Sequence, residues 1–151
     1  MPEREEALSN DAATAWVRLV RVSQSLLSAV ESDLKSNGFP PLSWYDALLE
    51  LRRAGTNGLR PFELQDAMLL AQYNISRLTD RLCKAGYVER KPCEEDGRGQ
   101  ILIATPKGEK LLRDMWPVYR LAIRTHFADN LGDKHANILG KILGELIDSA
   151  A

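Results

Sequence analysis

The chain is poor in the features that announce an enzyme or an exported protein. It has two cysteines, Cys83 and Cys93, and two histidines, His126 and His135, in 151 residues. Two cysteines cannot staple a domain of this size, and they make no structural zinc site without histidines, neither of which lies near a cysteine in sequence. A reducing, cytoplasmic compartment is expected, with no metal and no cofactor. No apolar run approaches the ~20 residues that a membrane span needs. The opening Met1-Pro2-Glu3-Arg4-Glu5-Glu6 is acidic where a signal peptide is basic and then apolar. The chain is therefore expected to be neither exported nor embedded. A phosphate loop, a paired-histidine zinc helix and a nucleophile elbow are all missing, so no enzyme is expected. An excess of one charge is missing too: 20 Lys+Arg stand against 21 Asp+Glu, so any nucleic-acid binding must come from local sorting of charge.

What is present is 44% hydrophobic and 27% charged residues, enough to bury a core and to exclude a disordered or collagen-like chain. From about Asp11 to Lys35, Trp16, Leu19, Val20, Leu26, Leu27, Val30 and Leu34 recur at helical spacing. Asn37-Gly38 and two prolines end that helix. A second helix is expected to start at Ser43, with Asp46 three residues on as a capping box, and to carry Trp44, Ala47, Leu48 and Leu51 inward. Arg60-Pro61 opens a short third helix whose buried face is expected from Phe62, Leu64, Ala67 and Met68. A fourth runs from about Gln72 to Lys84 on Ile75, Leu78 and Leu82, and Ala85-Gly86 end it. Two short helices across a tight connection make a helix-turn-helix.

The period then becomes strand-like. Tyr87–Lys91 and Gln100–Ala104 read as two strands joined through an Asp96-Gly97 hairpin signal. Thr105 caps a fifth helix with Pro106 in its first turn, extending to about Asn130, with a kink or break expected at Pro117. A last helix spans roughly Asp133 to Asp148. The fold class is thus mainly α with a small β-hairpin, a winged helix-turn-helix with long outer helices. Those outer helices are too apolar to stand alone, and a second copy of the chain is the simplest partner. Gly140 and Gly144, four residues apart on the last helix, suit close helix approach in such a dimer.

Five pieces in order resemble the MarR family of bacterial transcriptional regulators: Glu63-Leu64, Asn74 to Leu82, Ala85-Gly86-Tyr87-Val88-Glu89-Arg90, Asp96-Gly97-Arg98 and Ala104 to Gly108. The resemblance covers essentially the whole chain. It departs at Ala71, where a capping Ser, Thr or Asp is common, and at Leu69, where the turn often has Gly. It implies a single domain over 1–151, with dimerisation helices at 12–36 and 106–150 and a winged-helix DNA-binding part at 43–104. It also implies a homodimeric repressor or activator on a pseudo-palindromic operator in double-stranded DNA, often released by a small, frequently aromatic, effector.

A helix in the major groove reads bases from its first turns, which nominates Gln72, Tyr73, Asn74, Ser76 and Arg77. The plainer alternative is an ordinary solvated helix face. Arg98, between two glycines at the hairpin tip, suits a narrow minor groove, as the matching arginine does in the family. Asp96 is expected to pair with Arg77 or Arg81 and brace the wing, or else to be a plain turn residue. From Arg60 to Arg98 seven basic residues face seven acidic ones, Glu94 and Glu95 among them, so modest affinity with a shallow salt slope is expected. Those acidic wing residues leave open a winged-helix protein that acts through protein contacts instead of DNA. Trp16, Trp44, Tyr45 and Trp116, with Phe39 and Tyr119, are candidates to line an effector cleft, core packing being the plainer reading. Cys83, between Arg81 and Lys84, keeps a redox-responsive regulator open, against two inert thiols. The hydroperoxide-sensing branch of the family carries its cysteine near the start of the first helix, and this chain has none there.

Overall fold

The computed structural model describes residues 7–70, 74–93 and 99–150. Helix α1 is Asn10–Ser36, α2 Leu42–Ala54, α3 Pro61–Ala67 and α4 Ile75–Lys84. Strands β1 (Val88–Pro92) and β2 (Gln100–Ala104) follow, then α5 (Pro106–Ile123), a π-turn at Arg124–Ala128, the single turn α6 (Asp129–Leu131) and α7 (Asp133–Ala150). The chain divides into two units, Asp33–Leu121 and Met1–Ser32 with Ala122–Ala151. Among the described residues no helix is long and apolar enough to cross a membrane.

Local chemistry sets most of the boundaries. Ser9 Oγ accepts from the Ala12 amide at the head of α1. At its end Gly38 takes a positive φ, with the Phe39 amide donating to Leu34 O and the Gly38 amide to Lys35 O. That is the paired-bond ending that a left-handed glycine permits. Helix α2 starts one residue before Ser43, behind Pro41, with no side-chain cap. The expected capping box is absent because Ser43 and Asp46 are both buried, and Asp46 turns elsewhere.

In α3, Pro61 occupies the first position and the Glu63 carboxylate accepts from the Arg60 amide at 2.9 Å. Its buried face is narrower than expected. Leu64 and Met68 are inside, whereas Ala67 is exposed and Phe62 is 61% exposed, because a seven-residue helix buries one stripe only. Pro117 does not break α5, which runs on to Ile123; the irregularity comes at the π-turn instead.

The Asp33–Leu121 unit has a core of Leu34, Leu42, Leu48, Leu51, Leu64, Leu82, Leu102, Leu112 and Met115, all essentially fully buried. The hairpin is antiparallel, pairing Val88 with Ala104 and Pro92 with Gln100. A third segment joins it: Leu59 and Leu102 exchange both backbone hydrogen bonds, at 3.0 and 2.8 Å. Gly58 makes this possible, since a Cβ there would sit 2.6 Å from Leu102 O.

The outer unit is much less buried. α7 has no buried residue. Its Leu139 and Leu143, with Leu19, Val22 and Leu26 of α1, line an open apolar groove of about 600 Å³. Ile138, Ile142 and Leu146 recur at four-residue steps outside that groove and are exposed.

Candidate nucleic-acid interface

The candidate reading helix is α4. Ile75, Leu78, Thr79 and Leu82 point inward, which turns Ser76, Arg77, Asp80, Arg81 and Lys84 outward. Its start differs from the sequence expectation by three residues: Asn74, not Ala71, is the cap, and Asn74 Oδ1 accepts from the Arg77 amide at 3.1 Å. The asparagine nominated for base reading thus also fixes the helix end from which Ser76 and Arg77 project. Gln72 and Tyr73 lie outside the described residues, as do Asp96 and Arg98 of the wing.

The expected Asp96 brace therefore lies outside the described residues, and among the described residues another tie appears. Asp80 on α4 forms an ion pair with Arg90 on β1, joining the reading helix to the hairpin. Its hydrogen bond to Asp80 holds the Arg90 guanidinium even more firmly protonated than usual. Sequence reasoning missed it, although a ten-residue separation from helix to adjoining strand was a usable signal. At the other side of the hairpin, Arg60 Nη2 lies 3.3 Å from Cys93 Sγ, and the Cys93 amide donates to Gly99 O at 2.8 Å.

The motif residues Ala85-Gly86-Tyr87 and Thr105-Pro106-Lys107-Gly108, far apart in sequence, meet here. Gly86 ends α4 with a positive φ, its amide bonding Cys83 O and the Tyr87 amide Leu82 O. Thr105 Oγ1 donates to Gly86 O at 2.6 Å and accepts from the Gly108 amide at 3.1 Å. Lys107 Nζ donates to Ala85 O at 2.7 Å and sits over the Tyr87 ring, 4.8 Å from its centre. Gly108 lets Tyr87 O approach so closely that an added Cβ would lie 2.2 Å from it. The start of α5 therefore clamps the end of the reading helix, and Ala85, Gly86, Tyr87, Thr105, Lys107 and Gly108 each have a physical task in the clamp.

Of the two readings left open for Cys83, the geometry favours the inert thiol. Burial pushes its thiol up, the nearby Arg90 opposes this and Asp80 adds to it. Desolvation outweighs the cation, so the thiol is held protonated instead of activated.

The aromatic candidates divide. Tyr45 stacks on Trp116 at 6.3 Å, and Tyr119 meets both edge-on, at 5.1 and 5.9 Å. Trp44 instead packs edge-on against Tyr87 at 5.9 Å. Trp16 belongs to the other unit and is exposed. A cavity of about 270 Å³ opens beside the cluster, lined by Leu42, Tyr45, Asp46, Leu49, Glu50, Arg53, Ala67, Leu69 and Tyr119. Burial raises both the Tyr45 and the Tyr119 phenol, so each keeps its proton as a hydrogen-bond donor at neutral pH. Among the described residues no group of three or more His, Cys, Asp or Glu side chains is placed to hold a metal ion.

A helix-turn-helix followed at once by a hairpin, with long helices before and after, defines a winged-helix protein. The sequence profile of the MarR family matches residues 37–99. An uncharacterised HTH-type transcriptional regulator of Bacillus cereus is 30% identical over 137 residues, covering 87% of this chain and 83% of that protein. The chain belongs to the MarR family. The transcriptional repressor MprA of Escherichia coli is 30% identical over 98 residues; these cover 65% of this chain but only 55% of MprA, about half its length. Sco3205, a MarR family transcriptional regulator from Streptomyces coelicolor solved in complex with DNA, superposes with a TM-score of 0.82 at 27% identity, covering 96% of this chain and 94% of that one. These relatives are transcriptional regulators, not enzymes.

Proposed function

We propose that the chain is a homodimeric, sequence-specific DNA-binding transcriptional regulator of the cytoplasm, acting as a repressor that a small ligand releases. The observation that carries the DNA reading is the outward face of α4, where Ser76, Arg77, Arg81 and Lys84 project from a helix capped by Asn74 at its start and clamped by α5 at its end, in a fold shared with a regulator solved on DNA. Gln72, Tyr73, Asn74, Ser76 and Arg77 read the major groove, and Arg98 at the wing enters the minor groove. A dimer places two such heads on the two halves of an operator. Support for a second copy comes from α7, whose Ile138, Ile142 and Leu146 leave a continuous apolar stripe uncovered.

The effector part rests on the cavity beside Tyr45 and Tyr119. Its apolar and aromatic walls with a few polar groups suit a flat ligand of modest size, and Leu69 and Asp46 in its wall connect it to the turn before α4. Trp16, Trp44 and Trp116 are not among its lining residues.

Selection of the purified protein on a random duplex library at near-physiological salt tests the proposal. Enrichment of an inverted repeat with half-sites about one helical turn apart is the expected result. Failure to enrich any sequence, with the dimer intact, overturns the DNA reading and leaves action through protein contacts. Arg98→Ala is expected to weaken binding to the enriched duplex and leave the dimer unchanged.

A further inference from the structure

Asp46, on α2, is 5% exposed, and its carboxylate spends both oxygens on one short stretch of backbone. The Leu69 amide donates to Oδ1 and the Leu70 amide to Oδ2, each at 3.0 Å. Those two residues belong to no helix or strand. They follow the end of α3, where Met68 swings to an extended conformation, and they precede the Asn74 cap of α4. Their N–H groups have no helical carbonyl to bond, and a backbone donor turned toward the interior must find some acceptor. One ionised carboxylate answers two donors at once, with charge-assisted bonds.

We infer that Asp46 is a positioning residue for DNA recognition: its carboxylate holds the turn of the helix-turn-helix at residues 69 and 70 and thereby sets where α4 begins. This rests on the DNA-binding reading above. The hydrophobic groups that anchor the two helices, Leu64, Met68, Leu78 and Leu82, are buried independently of it. Loss of the carboxylate therefore loosens the turn without dissolving the core. An asparagine of the same shape has one acceptor and one NH₂ group, so it can satisfy one amide and must aim a donor at the other.

The test is Asp46→Asn, measured on the inverted repeat that the wild-type protein selects and on an unrelated duplex at low salt, well below the melting temperature. Operator affinity is expected to fall by about tenfold or more, as when a charged hydrogen bond is lost, with non-specific affinity within about twofold. A residue that only stabilises the fold would lower the melting temperature and leave both affinities alone. Unchanged operator affinity, or an equal fall on both duplexes, overturns the assignment. If the wild-type protein selects no duplex, the DNA reading itself fails and the assignment falls with it. Amide exchange supplies the second measurement. The Leu69 and Leu70 amides are expected to be protected in the wild-type protein, and exchange at free-peptide rates overturns the inference even if the variant does not fold.

Discussion

Truncating Ile142 to alanine is expected to weaken self-association by about 30-fold. Ile142 is 51% exposed in the single chain and lies between Ile138 and Leu146 on the uncovered stripe of α7. Complete burial of an isoleucine side chain contributes roughly 1.5–3 kcal/mol, so the exposed half leaves about 1 kcal/mol to be gained from a partner. A two-fold interface uses the residue twice, which brings the loss to about 2 kcal/mol per dimer and the dissociation constant up by about 30-fold. Sedimentation equilibrium over a wide concentration range measures this directly, with circular dichroism to check that helix content is kept. Ile142→Asp should dissociate the dimer outright, because a carboxylate would be buried there without a partner. A wild-type protein that stays monomeric at micromolar concentration, or an alanine variant with an unchanged constant, would refute this assignment of α7.

Gly108→Ala should be strongly destabilising: the new Cβ would meet Tyr87 O at 2.2 Å and a Leu48 methyl at 3.0 Å, so the clamp on the end of α4 must open. A loss of about 2 kcal/mol or more in denaturant unfolding is expected, and a change below about 0.5 kcal/mol would contradict it. Arg77→Ala should reduce operator affinity while leaving α4 capped, since Asn74 bonds the Arg77 backbone amide and not its side chain; equal retention on operator and unrelated DNA would remove Arg77 from recognition. The Cys83 thiol, raised by burial, should alkylate more slowly at pH 8 than free cysteine, and at the ordinary rate after unfolding. The sign carries over to stability: the folded state favours the neutral thiol, so this contribution is full below the ordinary thiol pKa and is lost as pH rises toward the higher folded value. Alkylation faster than free cysteine would show the opposite shift.

Repeating local chemistry made much of the architecture legible along the chain. Helix periods, Gly38 and Gly86 as left-handed ends, Pro61 and Pro106 at first turns, and Thr105 as a cap all act within a few residues, so they are written in adjacent positions. The strands were legible to within one residue for the same reason. The family resemblance lay in segments that turn out to touch one another, the Gly86-Tyr87 turn and the Thr105 to Gly108 start of α5.

Only the tertiary structure decided what depends on distant partners. Asp46 looked like a cap for its own helix, yet its carboxylate serves amides 23 and 24 residues away. Asp80 and Arg90 tie the reading helix to the hairpin, a pairing that the sequence reading had not named. Phe62 fitted a helical stripe but faces outward, because periodicity says which side chains share a face and not whether anything covers it. For Cys83 the neighbouring basic residues left activation and an inert thiol both open, and burial favours the inert thiol. Short-range patterns set the elements of this protein, whereas desolvation and the competition of remote groups for each polar atom emerge only once the chain has folded.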